Sequence, residues 1–308
     1  VSDTFTDQDV PEQTGRTILV TGANTGIGFE TAAVLARAGA RVLLGCRDAA
    51  RASDAVERLR RRVGDADVEI VELDQASLAS VAEAAAQVAE EPRLDVLVHN
   101  AGVMVPPLSF TEDGFELQFG VNHLGPFALT AHLLTKLREQ PGSRVVTTSS
   151  IAHRDARLFL DDLTAQGGYE ASPRYQQSKL ANLLFALELD RRLRAVDATT
   201  ISVACHPGIA MTELGRHMGR VVNALLPIIR PLAQLRYNSP AQGAWPTLMA
   251  ATDPGVEGGE YLGPSRWKET TGPASRAHAG TRARDEELAR QLWDVSVELT
   301  GLDPLPAV

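Results

Sequence analysis

The chain of 308 residues predicts an α/β fold: a doubly wound parallel sheet with helices on both faces. Three observations carry this. Short apolar runs alternate with helical patterns along most of the length, a glycine-rich turn joins the first run to the first helix, and no internal repeat or linker interrupts the alternation.

The first run, Thr17-Ile18-Leu19-Val20, has the length and branched content of a buried strand. Thr21-Gly22-Ala23-Asn24-Thr25-Gly26-Ile27-Gly28 follows directly and opens a helical pattern at Ile27, Thr31, Val34, Leu35 and Ala38. Glycines there let the backbone turn tightly and let a pyrophosphate approach the amides of a helix N-terminus, where the dipole favours an anion. The spacing is G-x-x-x-G-x-G rather than the usual G-x-G-x-x-G of dinucleotide sites. Gly22, Asn24, Thr25, Gly26, Ile27 and Gly28 are therefore candidate cofactor contacts. A second strand over 41 to 46 makes the opening that of a nucleotide-binding, Rossmann-type sheet.

Further runs at 68 to 73, 94 to 98, 144 to 148 and 200 to 205 alternate with helical patterns near 48 to 63, 77 to 90, 113 to 139 and 174 to 196. A last short strand is expected near 259 to 262, and a final helix near 284 to 299 with Leu288, Leu292, Trp293 and Val297 inward. Tyr261 to Thr281 is rich in Gly, Pro and Ser and reads as a long connection. Residues 1 to 14 read as an N-terminal extension and 303 to 308 as a proline-punctuated tail around a single domain.

The apolar fraction of 44% supplies a sizeable core. A formal charge of −9 argues against a nucleic-acid partner, since no basic stripe offsets it beyond the short Arg58-Leu59-Arg60-Arg61-Arg62 run, most simply the exposed end of a helix. Two cysteines, Cys46 and Cys205, each on an expected buried strand, form neither a disulfide framework nor a metal-ligand spacing. A cytoplasmic location is expected, as the acidic start with Asp3, Asp7 and Asp9 has no secretory signal and no apolar run is long enough to span a membrane.

Tyr175 and Lys179 lie four residues apart in a helical pattern, so phenol and ammonium share one face. A fixed cation favours the phenolate of a tyrosine, which makes the phenol an acid/base catalyst. On these landmarks the chain resembles the short-chain dehydrogenase/reductase family over roughly residues 15 to 262. They stand in the family's order: Thr21 to Gly28, Asp74, Asn100-Ala101-Gly102, Asn122, Ser149-Ser150, Tyr175 with Lys179, and Pro207-Gly208. Gly45-Cys46-Arg47-Asp48, Val121 to Phe127 and Ser178-Lys179-Leu180-Ala181-Asn182 are similar to the branch of retinol dehydrogenases and protochlorophyllide reductases, as is the long stretch between Ser150 and Tyr175.

The resemblance implies roles. Tyr175 is the general acid or base; Lys179 holds its pKa down and bonds the nicotinamide ribose. Ser150, rather than Ser149, bonds the substrate oxygen, and Asn122 distorts its helix and holds a water that links the lysine to solvent. Asn100, Ala101 and Gly102 pass along the adenosine and ribose, although a plain turn would serve the same sequence. Asp74 lies near the adenine and could also cap the following helix. Pro207, Gly208 and Thr212 bind the carboxamide and phosphate.

At the end of the second strand an NAD enzyme carries an acid that binds both ribose hydroxyls. Here Cys46 stands in its place and Arg47 follows, so the expected cofactor is NADP(H), with NAD(H) as the alternative. Asp48 is expected to be engaged as the N-cap of the next helix. Residues 211 to 235 resemble the family's substrate lid, and their oily side chains suggest a small apolar carbonyl or alcohol substrate; a core or oligomer-interface role fits them equally. His153 and Arg157 are expected at the surface. The leading reading is an NADP(H)-dependent alcohol dehydrogenase or carbonyl reductase. A protochlorophyllide-type photoreductase and a non-catalytic NADP-binding sensor are the alternatives, and a homo-oligomer through the helices over 113 to 139 and 174 to 196 is left open.

Overall fold

A computed structural model of the chain describes residues 4–209 and 237–305. Its strands are β1 (Thr17–Thr21), β2 (Arg41–Cys46), β3 (Val68–Glu72), β4 (Val96–His99), β5 (Arg144–Thr148), β6 (Ile201–Cys205), β7 (Tyr261–Arg266) and β8 (Thr271–Arg276). They form one sheet in the order β3-β2-β1-β4-β5-β6-β7-β8, parallel except for β8. The described α-helices of more than one turn are α1 (Gly26–Arg37), α2 (Ala49–Val63), α3 (Leu78–Ala89), α4 (Gly125–Arg138), α5 (Ala171–Ala195), α6 (Pro240–Thr252) and α7 (Glu286–Thr300).

Side chains alternate across a strand, and here both faces are covered. Ile18, Val20, Val42, Leu44, Val96 and Val98 pack with Leu35 of α1 and Leu248 of α6. Leu19, Leu43, Leu97 and Val145 point the other way, into a core with Val88 of α3, Leu133 of α4 and Phe185 of α5. This two-sided burial is why the strands read as continuous apolar runs. Strand order reverses between β1 and β4, which opens a crevice at their carboxyl ends.

Four expectations change. The stretch read as a connection from Tyr261 holds the β7–β8 hairpin. The helix α6 was not expected; Pro246 inside it obscures the helical pattern, yet Ser239 and Gln242 form a capping box at its start. The helix expected over 113 to 139 begins with a short turn, Leu117–Phe119, and is broken by a π-turn, Gly120–Leu124, which contains Asn122. That is the distortion the resemblance implied. The segments around Phe5 and Asp303 pack rather than trail: Phe5 pairs with Ala274, Trp245 Nε1 donates to Asp7, and Trp293 Nε1 donates to Asp303.

Candidate active site

Thr21 closes β1, and its hydroxyl accepts the backbone N–H of Asn100 and of Ala101, each at 3.0 Å. Asn100 Nδ2 returns a bond to Thr21 O at 2.8 Å. These bonds bring the ends of β1 and β4 together under a cleft of about 360 Å³. Gly22, Asn24, Thr25, Gly26, Ile27, Gly28, Arg47, Asp74, Asn100, Ala101 and Gly102 all line it. Gly22 and Gly26 have φ of 67° and 60°, the left-handed region that favours glycine. A Cβ on Gly28 would lie 2.4 Å from both Gly22 O and Asn100 Nδ2, so the helix approaches the strand ends as only glycine allows.

At the β2 end of the cleft Cys46 is buried, and burial pushes its thiol up to about 11. Arg47 is 70% exposed, with Nε 3.8 Å from Asp74 Oδ2. Asp48 is the N-cap of α2 and accepts the N–H of Arg51 at 3.0 Å, which engages its carboxylate as expected. Asp74 does not cap α3; Ser77 does, while Asp74 Oδ1 accepts the N–H of Ala76 at 2.9 Å. Its other oxygen stays toward Arg47. The basic run is not simply a solvated helix end. Arg58 stacks 4.3 Å from the centroid of the Phe29 ring and donates to Asn24 O in the glycine turn at 2.6 Å.

On α5, Tyr175 and Lys179 share a buried face, with Lys179 Nζ 5.8 Å from the centre of the Tyr175 ring. Nζ also donates to Thr148 O at 3.2 Å, at the end of β5. Asn182 Nδ2 donates to the same carbonyl at 3.0 Å. Asn122 is fully buried in its π-turn; Nδ2 donates to Val103 O and to Ser178 Oγ, each at 2.9 Å. A Cβ on Gly102 would lie 3.0 Å from Asn122 Oδ1 and 3.5 Å from Lys179 Nζ, so the tyrosine–lysine pair adjoins the cleft at Gly102. The serine pair divides. Ser149 is buried and donates to Lys179 O at 2.7 Å, whereas Ser150 is partly exposed and caps the short turn Ile151–Asp155.

Pro207 and Gly208 follow β6 and are buried, and Asn238 Nδ2 donates to Pro207 O at 2.9 Å. Thr212 and residues 211 to 235 lie outside the described residues. Arg157 is exposed as expected, but His153 is buried, and burial pushes its pKa down to about 4. The sequence alone gives no role to Thr21, Thr148, Ser178 or Asn182, which here tie strand ends to one another and to helices. The Ser178 to Asn182 segment was a signal for the last two, since it carries part of the likeness to the retinol dehydrogenase branch. Among the described residues no group of three or more His, Cys, Asp or Glu is placed to hold a metal ion, and no helix is long and apolar enough to cross a membrane.

A family model described as short chain dehydrogenase matches residues 16–220. Human Retinol dehydrogenase 14 is 42% identical over 304 residues, spanning 94% of this chain and 87% of its own. Human Retinol dehydrogenase 13 is 44% identical over 292 residues, with 94% and 86% covered. Among solved structures, an uncharacterized protein from Mycobacterium Paratuberculosis superposes with a TM-score of 0.81 at 37% identity, covering 99% of this chain and 100% of that one. A Beutenbergia cavernae protein assigned as an NAD(P)-dependent gluconate 5-dehydrogenase, with bound NADP, gives 0.59 at 26% identity, with 81% and 95% covered.

Proposed function

The chain belongs to the short-chain dehydrogenase/reductase family of oxidoreductases, and we propose that it interconverts an alcohol and a carbonyl on an apolar small molecule, using NADP(H) and Tyr175 as general acid and base. The observation that carries this reading is the buried Tyr175–Lys179 face at the Gly102 end of the cleft. Bound NADP(H) would supply or accept a hydride. The residues fit such a group: the left-handed Gly22 and Gly26 turn the chain so that the cleft lies against the start of α1, where backbone amides can meet a pyrophosphate. Arg47, exposed at the end of β2 where no acid stands, is suited to a 2′-phosphate, and Asp74 beside it to the adenine edge.

In this reading the phenol of Tyr175 gives its proton to the carbonyl oxygen during reduction and takes one from the alcohol during oxidation. Lys179, fixed by Thr148 O, places its charge beside the phenol and favours the phenolate. Ser150 orients the substrate oxygen, because its hydroxyl is partly exposed while that of Ser149 is committed to the core. Asn122 holds the Val103 segment against the lysine's helix through Ser178. An apolar substrate is supported by relatives named for retinol, a largely hydrocarbon alcohol. The test is a screen of aldehydes, ketones and alcohols of graded chain length, read as NADPH absorbance. Turnover rising with chain length and faster with NADPH than NADH is expected; no turnover of any carbonyl or alcohol would sink the proposal.

A further inference from the structure

The turn between β7 and β8 passes through Trp267, Lys268 and Glu269 with φ of 51°, 56° and 66°, three successive non-glycine residues in the left-handed region. Such conformations are unfavourable for L-residues and persist only where the surroundings over-determine them, often at functional sites. Here the surroundings converge on the Glu269 carboxylate. Oε1 accepts the N–H of His278 at 3.0 Å. Oε2 meets His206 Nε2 at 3.2 Å and the Arg154 guanidinium.

His206 is fully buried directly after β6. Its Nδ1 accepts the N–H of Gly208 at 3.2 Å, so the ring proton must sit on Nε2, facing Glu269. Burial lowers the pKa of His206, which keeps the ring neutral. β7 makes room for it: a Cβ on Gly263 would lie 2.0 Å from Nε2. The hairpin turn holds the same segment a second time, because Thr270 O accepts the N–H of Ile209 at 3.0 Å. Arg154 anchors the carboxylate from the segment that carries Ser150, whose carbonyl accepts His153 Nδ1–H at 2.6 Å.

We propose that Glu269 is a positioning residue: by fixing the orientation of His206 it fixes the Gly208 amide, and with it the surface that receives the nicotinamide end of the cofactor. This rests on the NADP(H) reading above and on the family resemblance, which implies that Pro207 and Gly208 meet the carboxamide of the cofactor. Glu269 itself touches neither cofactor nor substrate in this proposal; it acts through His206. The strained turn is then the means by which a hairpin at the sheet's far end reaches the reaction site.

The purified full chain tests this by fluorescence titration with NADPH and, separately, with 2′,5′-ADP, which carries the 2′-phosphate and adenosine but no nicotinamide. Glu269→Ala should weaken NADPH about tenfold and leave 2′,5′-ADP within about twofold, because only one end of the site loses its frame. An equal loss for both ligands, or a loss for neither, overturns the proposal. If Glu269→Ala fails to fold, Glu269→Leu, which offers His206 Nε2–H no acceptor, tests Glu269 with the same two ligands, and His206→Ala and His206→Asn test the link to Gly208. An asparagine carbonyl can accept the N–H two residues on, as His206 Nδ1 does, so His206→Asn should restore most of the NADPH affinity that His206→Ala loses. Equal affinities for NADPH in these two variants would also overturn it. Wild-type protein that binds neither ligand would instead defeat the NADP(H) reading, and this proposal with it.

Discussion

Asn122 holds the backbone of Val103 in both directions: Oδ1 accepts its N–H at 2.7 Å and Nδ2 donates to its carbonyl at 2.9 Å. The loop after β4 is thereby fixed to a residue that the π-turn carries inward. Asn122→Ala would strand the N–H of Val103 and its carbonyl away from their partner. A polar group left unmet costs about 1 to 3 kcal/mol when buried, and Val103 is half-buried, so the unfolding free energy should fall by about 1 kcal/mol and the urea midpoint with it. An unchanged midpoint would show that the clamp contributes nothing to stability.

Tyr175→Phe removes one oxygen from a buried residue and leaves the helix intact. Loss of a general acid or base lowers turnover by about a hundredfold or more. Steady-state rates on the substrate found by screening should fall by that factor, while NADPH affinity stays close to wild type. Near wild-type turnover would remove Tyr175 from the mechanism.

For Arg47 the measurement is a ratio. Arg47→Ala should weaken NADP(H) by roughly tenfold to a hundredfold, the value of a charge-assisted contact, and leave NAD(H) almost unaffected. Cys46→Asp should reverse the preference further, by adding a like charge against the 2′-phosphate. If the native protein binds the two cofactors equally, the reading of the β2 end fails.

His99 and His123 make stability depend on pH. Thr130 Oγ1 gives its own proton to Pro126 O, and Ser296 Oγ gives its to Leu292 O, so each hydroxyl accepts from the neutral imidazole beside it. Burial pushes both histidines down to about 3. Their unfolded value is about 6.5. Above that value both states are neutral and the contribution is complete. As pH falls toward 3 the unfolded chain takes up the protons first, and stability drops by about 1.4 kcal/mol per pH unit for each histidine. Urea titrations at neutral pH and near pH 5 should show the loss, and His123→Phe should reduce its slope by one proton. Equal stability of the wild type at the two pH values would contradict this.

The parts of the fold legible in the sequence are those where one local rule dictates the residue. Thr17 to Gly28 could be read because a buried parallel strand, a tight turn and a helix start each demand their own residues. Tyr175 and Lys179 could be read because helical spacing alone puts them on one face. The β7–β8 hairpin could not. Its turn uses Trp267, Lys268 and Glu269 where turn chemistry calls for glycine or asparagine, and only contacts distant in sequence hold them there. The role of Glu269 is hidden for the same reason, since it lies 63 residues from His206. Helix α6 carries its own signal in the capping box of Ser239 and Gln242, but Pro246 within it breaks the helical pattern.

Phe5 exchanges two backbone bonds of 2.8 Å with Ala274 on the outermost strand. An open sheet edge is a template for any passing strand, and covering it is one way to block that. Here the segment around Phe5 takes that place and is fastened there by Asp7, which bonds Trp245 and pairs with Arg37. Removing Phe5 would therefore do more than empty one place in the core. It would uncover hydrogen-bonding groups of β8 and invite copies of the molecule to join edge to edge.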